Sequence, residues 1–386
     1  MAAELRITRL VVTHFEYEIH DMALEETLGF DTVYRVGSRL PSSGSILTVE
    51  TNAGVSGQAP GSVDARIARY LLGRNPLQRE IIWHDLKRAM RGHNGTPPGS
   101  VDIALWDLAG KFYDAPIHQM LGGWKTKLPA YASTYHGDEN GGLTTPADFA
   151  EFARYCKDEL GYPAFKIHGW INGPIAREVA AVLAIREAVG PEMALLLDPA
   201  GAFSTFDDVL RVGRACDEAG YMWYEDPFRG GGFSQYAHVQ LRSFIKTPML
   251  MGEHVRGLEA KADTIVSRAA DYVRGNAYSD GGITGLMKIA TLAEAHGLDV
   301  ELHGGGLAHR HCMAAIRNTN YYELGLVHPR VAHTKPAIYA DRRWLDELDS
   351  VDANGCVDVP EGAGLGVPLD WEYISAHKSN EMVFQE

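Results

Sequence analysis

The 386-residue sequence predicts an α/β fold in which a closed barrel of parallel strands follows an N-terminal α+β domain. From about residue 128, short apolar strands alternate with amphipathic helices at a repeat of roughly 25–30 residues, and the repeat runs for eight strands. Before that point, two stretches alternate apolar and polar residues, as half-buried strands do. A doubly wound open sheet is the alternative, which the missing Gly-rich phosphate fingerprint weakens.

The N-terminal domain begins with the two alternating stretches, residues 7–19 and 45–54, which predict strands joined by a mixed polar loop. Helical periodicity follows at 63–74 and 78–90. It returns in the run SVDIALWDLAGKFYDAPIHQMLGG, which ends on a pair of glycines.

The barrel repeat consists of short apolar runs separated by helical patterns. The predicted strands are LPAYAS, AFKIH, ALLLD, MWYED, MLMGE, YVRGN, VELH and YYEL, and the predicted helices include 175–189, 205–219 and 284–296. Thr205 and Asp208 resemble a capping box that begins the second of these helices. After about residue 335 the Gly- and Pro-rich chain cannot continue the repeat, and we expect it to return to the first domain. The predicted division is therefore 1–127, 128–335 and 336–386.

Composition and charge disfavour several classes of function. The net charge of −14, without a Lys/Arg stripe, disfavours nucleic-acid binding. The four cysteines match no zinc or redox spacing, which is typical of reduced thiols in a cytoplasmic protein. No signal-peptide pattern and no apolar run of about 20 residues is present. We expect a cytoplasmic protein that binds a small molecule and neither nucleic acid nor a membrane.

Three consecutive strand units end in a carboxylate: Asp198, Glu225 and Glu253 are 27 and 28 residues apart. Each spacing equals one βα repeat, so all three side chains are expected on the same rim of the barrel, where active sites lie. One such residue is usually a helix cap, but three adjacent carboxylates would repel each other strongly without a cation. Ligands that are all oxygen favour Mg²⁺ over zinc.

Other polar residues occupy the same position in the repeat. Lys166 and His168 end one strand, His303 ends another, and Glu323 lies in the last. Lys166 and His168 are two residues apart in a strand, so both are expected to face the barrel interior.

The motifs KIH, LLLDPAGAF, YEDPF, GEH, DGGITG and ELHGGG, in this order and spacing, resemble the enolase superfamily, and most closely its mandelate-racemase-like branch. The resemblance covers nearly the whole chain, since SVDIALWDLAGK and PEGAGLGVPLD also match. It implies a modified (β/α)7β TIM barrel with an N-terminal capping domain, and it implies that Asp198, Glu225 and Glu253 bind Mg²⁺. The shared reaction step is removal of the proton α to a metal-bound carboxylate, which gives an enediolate.

The resemblance also implies roles for the other strand-end residues. Lys166 and His168 correspond to the base on one side of the substrate, and a cation beside Lys166 should lower its pKa. His303 corresponds to the histidine on the other side. Glu323 corresponds to a carboxylic acid that hydrogen-bonds the substrate carboxylate in some members.

The sequence departs from the family pattern at three positions. Asn276 replaces the Asp that partners the histidine in many members, so the pKa of His303 should be lower and the imidazole should act more as an acid or shuttle. Ala200 replaces an Asn that contacts a substrate hydroxyl. His254, beside the third ligand, replaces a residue that is often Asn and is expected to make a polar contact.

Substrate contacts are expected mainly from the first domain, whose loops cover the barrel mouth in this family. The expected lid residues are His20, Tyr34, Arg35, Arg39, His93 and Asn94. Together with His136, His168, His254 and His303, the histidine-rich surroundings suit a polyhydroxylated substrate.

The hypothesis that best fits these features is a Mg²⁺-dependent dehydratase of a sugar acid, in which Lys166 abstracts the α proton and His303 protonates the departing β-hydroxyl. A racemase, epimerase or cycloisomerase uses the same first half-reaction and is the alternative. A non-catalytic binder of metal and sugar acid is the third hypothesis. The resemblance further implies a homo-oligomer, often an octamer.

Overall fold

The computed structural model describes residues 4–26, 29, 31–92, 95–229 and 233–385. Its strands are β1 Ile7–Leu24, β2 Thr32–Thr51, β3 Ser56–Pro60, β4 Lys127–Thr134, β5 Ala164–Ile167, β6 Ala194–Leu197, β7 Trp223–Glu225, β8 Met249–Met251, β9 Tyr272–Gly275, β10 Asp299–Leu302, β11 Tyr322–Val327, β12 Cys356–Asp358 and β13 Lys378–Gln385. Its α-helices are α1 Ala65–Leu71, α2 Arg79–Ala89, α3 Gly99–Tyr113, α4 Ile117–Met120, α5 Pro146–Asp158, α6 Ile175–Val189, α7 Phe206–Ala219, α8 Gln235–Leu241, α9 Leu258–Val266, α10 Gly282–Ala295, α11 Leu307–Ala315 and α12 Trp371–Ala376.

Strands β4 to β11 form the predicted parallel barrel. In the described part of the chain the pairing order is β10-β9-β8-β7-β6-β5-β4-β11, and the strands at the two ends of this order, β10 and β11, contact each other. The sheet is therefore nearly closed, which confirms the barrel and rules out the open doubly wound alternative. A fully buried cluster fills its interior with Tyr131, Ala164, Leu196, Trp223 and Leu250. Side chains alternate between the two faces of a strand. The next inward-facing residues after this cluster therefore lie at the carboxyl ends of the barrel strands.

The N-terminal domain contains a four-stranded antiparallel sheet in the order β13-β1-β2-β3. The last strand of the chain, β13, pairs with β1, so the C-terminal segment does return to the first sheet. The division at residues 127 and 335 stays a prediction. None of the helices in the described ranges combines the length and apolar character that crossing a membrane requires.

The segment between residues 20 and 44 differs from the predicted polar loop. It extends both strands, so that β1 and β2 form one long hairpin whose pairing continues to Leu24 opposite Thr32. Its polar sequence concealed this, because a ribbon that projects from a domain has little apolar surface to bury. The hairpin lies on the loops after β4 and β11, through an apolar cluster that contains Ile19, Met22, Tyr135 and Val331.

Candidate active site

The three predicted metal ligands meet at the carboxyl ends of neighbouring barrel strands. Asp198 follows β6, Glu225 ends β7 and Glu253 follows β8, and one oxygen from each lies within 4.8 Å of the others. Ligands about 2.1 Å from one Mg²⁺ ion lie up to about 4.2 Å apart, so small side-chain rotations would close the set. The all-oxygen donors and their convergence therefore fit a hard divalent cation.

Lys166 lies at the centre of these carboxylates. Its buried Nζ is 3.1 Å from Asp198 Oδ2, 3.3 Å from Glu225 Oε2 and 2.9 Å from Glu323 Oε1. Burial by itself lowers the pKa of Lys166, but the surrounding carboxylates outweigh it and hold the pKa well above its ordinary value. The predicted lowering of this pKa assumed a bound cation and stays a prediction; the protein's own charges shift the pKa in the opposite direction, because three acids face one ammonium group.

Arg274 is the second cation of the site, and sequence reasoning missed it. Its Nε and Nη2 lie 2.6 and 2.8 Å from the two carboxylate oxygens of Glu225, a bidentate pair. It also donates to the carbonyl of Leu302 and to the hydroxyl of Tyr131. The available signal was its spacing, since a charged residue two positions before Asn276 in an apolar strand must share its inward face.

Glu323 lies between the two cations. Its Oε1 is 2.9 Å from Lys166 and its Oε2 is 3.5 Å from Arg274, and it accepts a hydrogen bond from the backbone of Gly304 at 2.7 Å. Burial raises the pKa of Glu323, but the two cations and His303 hold it well below its usual range. These neighbours favour an ionised carboxylate over the carboxylic acid that the family resemblance implied.

His168 continues the inward face of the strand that carries Lys166. Its Nδ1–H donates to the carbonyl of Thr134 at 2.6 Å, which turns Nε2 toward Asp198 Oδ2 at 3.2 Å. Lys166 and His168 thus both contact Asp198, a predicted metal ligand, and their role as bases stays a prediction.

His303 borders the carboxylates from the opposite side. Its Nε2 is 3.1 Å from Glu253 Oε1, and its Nδ1 is 3.4 Å from Nδ2 of Asn276. Burial lowers the pKa of His303 to about 4. The predicted direction is therefore correct, but desolvation is the largest cause.

The orientation of Asn276 determines which nitrogen of His303 holds the proton. The Asn276 Oδ1 accepts a hydrogen bond from the backbone of Tyr278 at 2.7 Å, so the amide NH₂ faces the imidazole. An NH₂ group only donates, so Nδ1 of His303 accepts and the proton of the neutral ring lies on Nε2. The proton therefore faces Glu253 and the site.

Ala200 stands at the position where many relatives have an Asn, and it can form hydrogen bonds only through its backbone. Its N–H donates to Asp198 Oδ1 at 2.9 Å in a left-handed conformation with φ 50°. The residue orients a metal ligand, and its methyl side chain makes no hydrogen bond.

Two of the predicted substrate-contact residues lie beside the site. His136 is buried with its ring centroid 5.3 Å from that of His168, and its Nδ1 has no hydrogen-bond partner within the described residues. Burial, with the nearby His168, lowers the pKa of His136 to about 3, so the ring is neutral. His254 is half-exposed, with Nε2 3.8 Å from Glu253 Oε1. A role in substrate binding stays a prediction for both imidazoles.

Two further predicted residues lie on the hairpin near the loop after β4. Tyr34 stacks on His328 at 4.7 Å, and its carbonyl accepts a hydrogen bond from Asn140. Arg35 pairs with Glu26 at 2.8 Å and lines a cleft of about 210 Å³ that also includes Trp170. These contacts place the hairpin at the edge of the barrel mouth. A role for Tyr34 and Arg35 in substrate binding stays a prediction.

His20 lies elsewhere on the hairpin. It is opposite Arg39 and lines a cleft with Tyr373 and His377 of the C-terminal segment, and none of the predicted metal or catalytic residues lines that cleft. Arg39 pairs with Glu18 at 3.2 Å. The predicted lid residues His93 and Asn94 lie outside the described residues.

The barrel and the three strand-end carboxylates define a class of enzymes, the barrel enzymes with a carboxylate cluster at the mouth that could hold a metal ion. Residues 148–373 match the family "Enolase C-terminal domain-like", and residues 36–122 match "Mandelate racemase / muconate lactonizing enzyme, N-terminal domain". The chain belongs to the enolase superfamily, in its mandelate racemase/muconate lactonizing enzyme branch, and it is an enzyme.

The names of individual relatives describe enzymes that act on sugar acids or their lactones. The chain is 30% identical over 320 residues to D-galactarolactone cycloisomerase of Agrobacterium fabrum, covering 79% of this chain and 81% of the relative. It is 27% identical over 384 residues to D-xylonate dehydratase of Haloferax volcanii, covering 88% and 87%. The crystal structure of D-glucarate dehydratase from Agrobacterium tumefaciens complexed with magnesium has a TM-score of 0.84, with 29% identity over 97% of this chain and 99% of that chain.

Proposed function

We propose that the protein is a Mg²⁺-dependent dehydratase of a sugar acid, either an aldonate or an aldarate. The observation that carries this proposal is the position of two different proton-transfer groups around one carboxylate cluster. Lys166 contacts Asp198 and Glu225 on one side, and His303 contacts Glu253 on the other. A dehydration needs one base and one acid, which this chemically unequal pair provides.

Asp198, Glu225 and Glu253 would hold the cation, which when bound supplies Lewis-acid stabilisation to the substrate carboxylate. A divalent cation held by Asp198 and Glu225 would offset the negative charges that raise the pKa of Lys166, and burial would then favour the neutral amine. The neutral Lys166 Nζ takes the α proton. Glu323, which also pairs with Arg274, stays beside Lys166 and keeps its side chain directed at the site.

On the opposite side, the neutral His303 ring presents its Nε2–H to the site and would donate a hydrogen bond to the departing β-hydroxyl. When the ring is protonated, the Nε2 proton can pass to that hydroxyl, which leaves as water and returns the ring to its neutral form. Its Nδ1 is occupied by Asn276, so the neutral ring is prepared to donate at Nε2. The neutral imidazole of His136, with its free Nδ1, suits a hydrogen bond with a substrate hydroxyl.

A cycloisomerase of a related sugar acid or lactone is the second candidate, because the relative with 30% identity has that activity. It uses the same proton abstraction and differs in what happens afterward. Exchange of the α proton in D₂O without loss of water from the substrate would favour this candidate.

The direct test is a stereochemically complete library of aldonates and aldarates, assayed with Mg²⁺ for formation of an α-keto acid. We expect at least one library member to give a keto acid, and chelation by EDTA to abolish the turnover. If no member gives one with Mg²⁺ present, the dehydratase proposal is wrong.

The orientation of His303 gives a separate prediction. Asn276→Asp replaces a donor by an acceptor, so we expect it to reverse the tautomer, raise the pKa of His303 above about 4 and add an ionisation to the pH profile of kcat between pH 5 and 8. Below the raised pKa the His303 ring is protonated, and above it the ring is neutral. The kcat of the variant should therefore differ between these two pH ranges.

Asn276→Ala is the control, since it removes the hydrogen bond and adds no charge; kcat should fall without a new ionisation. Identical pH profiles for wild type and Asn276→Asp would contradict the proposed role of Asn276.

A homo-oligomeric assembly, often an octamer in this family, is also proposed on family resemblance, and a cytoplasmic location is proposed on the four cysteines that match no zinc or redox spacing. Sedimentation of the purified protein tests the first.

A further inference from the structure

The turn that carries the third metal ligand is held from both sides by buried charged groups. Gly252, which precedes Glu253, has φ 113° and donates its N–H to both carboxylate oxygens of Asp226 at 3.2 Å. Glu253 donates its own N–H to Asp226 at 3.1 Å. The carbonyl of Gly252 accepts a hydrogen bond from Nζ of Lys261. The N–H and the carbonyl of Gly252 and the N–H of Glu253 are therefore each held by a side chain.

Lys261 also reaches the side of the site that contains His303. It projects from α9, is 1% exposed, and its Nζ lies 3.9 Å from Oδ2 of Asp280. Asp280 accepts hydrogen bonds from the backbone of Gly257 and from the backbone of Asn276, both at 2.9 Å. One buried ammonium group thus contacts the turn of Glu253 and the acid that positions Asn276.

Burying an ammonium group is unfavourable unless its partners compensate. Burial lowers the pKa of Lys261, and the nearby Asp280 and Asp226 oppose that shift without reversing it. Gly252 leaves only a narrow space, since a Cβ at that position would lie 3.1 Å from the lysine Nζ. The lysine tip is therefore packed against the turn.

We propose that Lys261 is a positioning residue that fixes Glu253 for metal binding and, through Asp280, holds Asn276 against His303. It touches neither substrate nor metal. The inference rests on the proposed metal-dependent function. It means that one ion pair, Lys261 with Asp280, links the position of Glu253 to that of Asn276. Groups that orient metal ligands typically change metal affinity or activity about 10- to 100-fold when removed.

Two variants test the two contacts. Lys261→Met keeps the length and loses the charge, and we expect the Kd for Mg²⁺, measured by calorimetry without substrate, to rise about 10- to 100-fold. Asp280→Asn keeps the size and loosens Asn276, so we expect kcat to fall about tenfold or more while the Kd for Mg²⁺ stays within about threefold of wild type. Lys261→Arg, which retains a cation, should recover part of the Mg²⁺ affinity.

Lys288→Met is the matched control, because Lys288 forms a surface ion pair with Glu80 at 2.8 Å. It should bind Mg²⁺ as wild type does. A folded Lys261→Met variant with the wild-type Kd overturns the inference, as does a Lys261→Arg variant no better than Lys261→Met. If Lys261→Met does not fold, an Asp280→Asn variant with wild-type kcat overturns it.

The Mg²⁺ titration separates this inference from the proposed function. Wild type that binds Mg²⁺ but dehydrates no sugar acid refutes the dehydratase and leaves the Lys261 titration decisive. Turnover by wild type together with unchanged Mg²⁺ binding in Lys261→Met refutes only the inference. Wild type that binds no Mg²⁺ refutes both.

Discussion

Replacing Lys166 by methionine is expected to lower kcat about 10²- to 10⁴-fold, the range typical for loss of a general base. The side chain is fully buried among Asp198, Glu225 and Glu323, and the nearby His168 is held toward Asp198 by Thr134, so the variant loses the proposed base while the contacts of its neighbour stay in place. Steady-state kinetics on a library hit, with α-proton exchange in D₂O as a second measurement, would check both turnover and the first step.

The same substitution should change the response of stability to metal. Without Lys166, three buried carboxylates lose a shared counter-ion, so the variant should unfold at a lower temperature than wild type in EDTA. Saturating Mg²⁺ should restore most of this loss, because an ion that binds only the folded state stabilises it.

Retention of more than a tenth of wild-type kcat in the Lys166→Met variant would show that Lys166 is not the base.

Replacing Arg274 by methionine is expected to destabilise the folded protein by about 3–5 kcal/mol, the usual cost of removing one partner of a buried ion pair. Glu225 would lose its bidentate partner, and Tyr131 and Leu302 would lose a donor. Urea unfolding measured with EDTA gives the free energy of unfolding. Arg211→Met is the control, because the exposed pair of Arg211 with Asp207 at 2.8 Å should contribute at most about 1 kcal/mol.

The effect of Arg274→Met should depend on pH. Burial raises the pKa of Glu225, and Arg274 opposes this rise, so the variant raises it further. An acid with a raised folded-state pKa destabilises the protein where it must ionise, and the loss is relieved as the pH falls through that pKa. The deficit relative to wild type should therefore shrink from pH 8 toward pH 5. A deficit below 1 kcal/mol at pH 8 would contradict the structural role of Arg274.

Most of the barrel was predictable because its signals are local. Each strand is a short apolar run, and all eight predicted runs coincide with strands of the barrel. Helices 175–189 and 205–219 coincide with α6 and α7 to within one residue, because amphipathic periodicity and the Thr205 cap mark them. The hairpin β1–β2 was underestimated, since its outer half has no apolar face to reveal its strands.

For the residues of the site too, what was predictable depended on whether the sequence carries a local signal. Asp198, Glu225 and Glu253 were predictable because a fixed repeat places equivalent positions on one rim. His20 was expected near the barrel mouth but lies beside the C-terminal segment, because the register of the hairpin, and not its sequence, decides where each residue projects.

By itself, the sequence determined the barrel, the carboxylate triad and the two flanking groups, Lys166 and His303. Only the tertiary structure decided the charge states, because these depend on residues far apart in the chain. Arg274 meets Glu225 from 49 positions away, and Glu323 approaches Lys166 from the last barrel strand, β11, which lies across β4 from β5. Electrostatic interactions act through space, so a pattern along the chain predicts where a carboxylate lies but not which cations surround it.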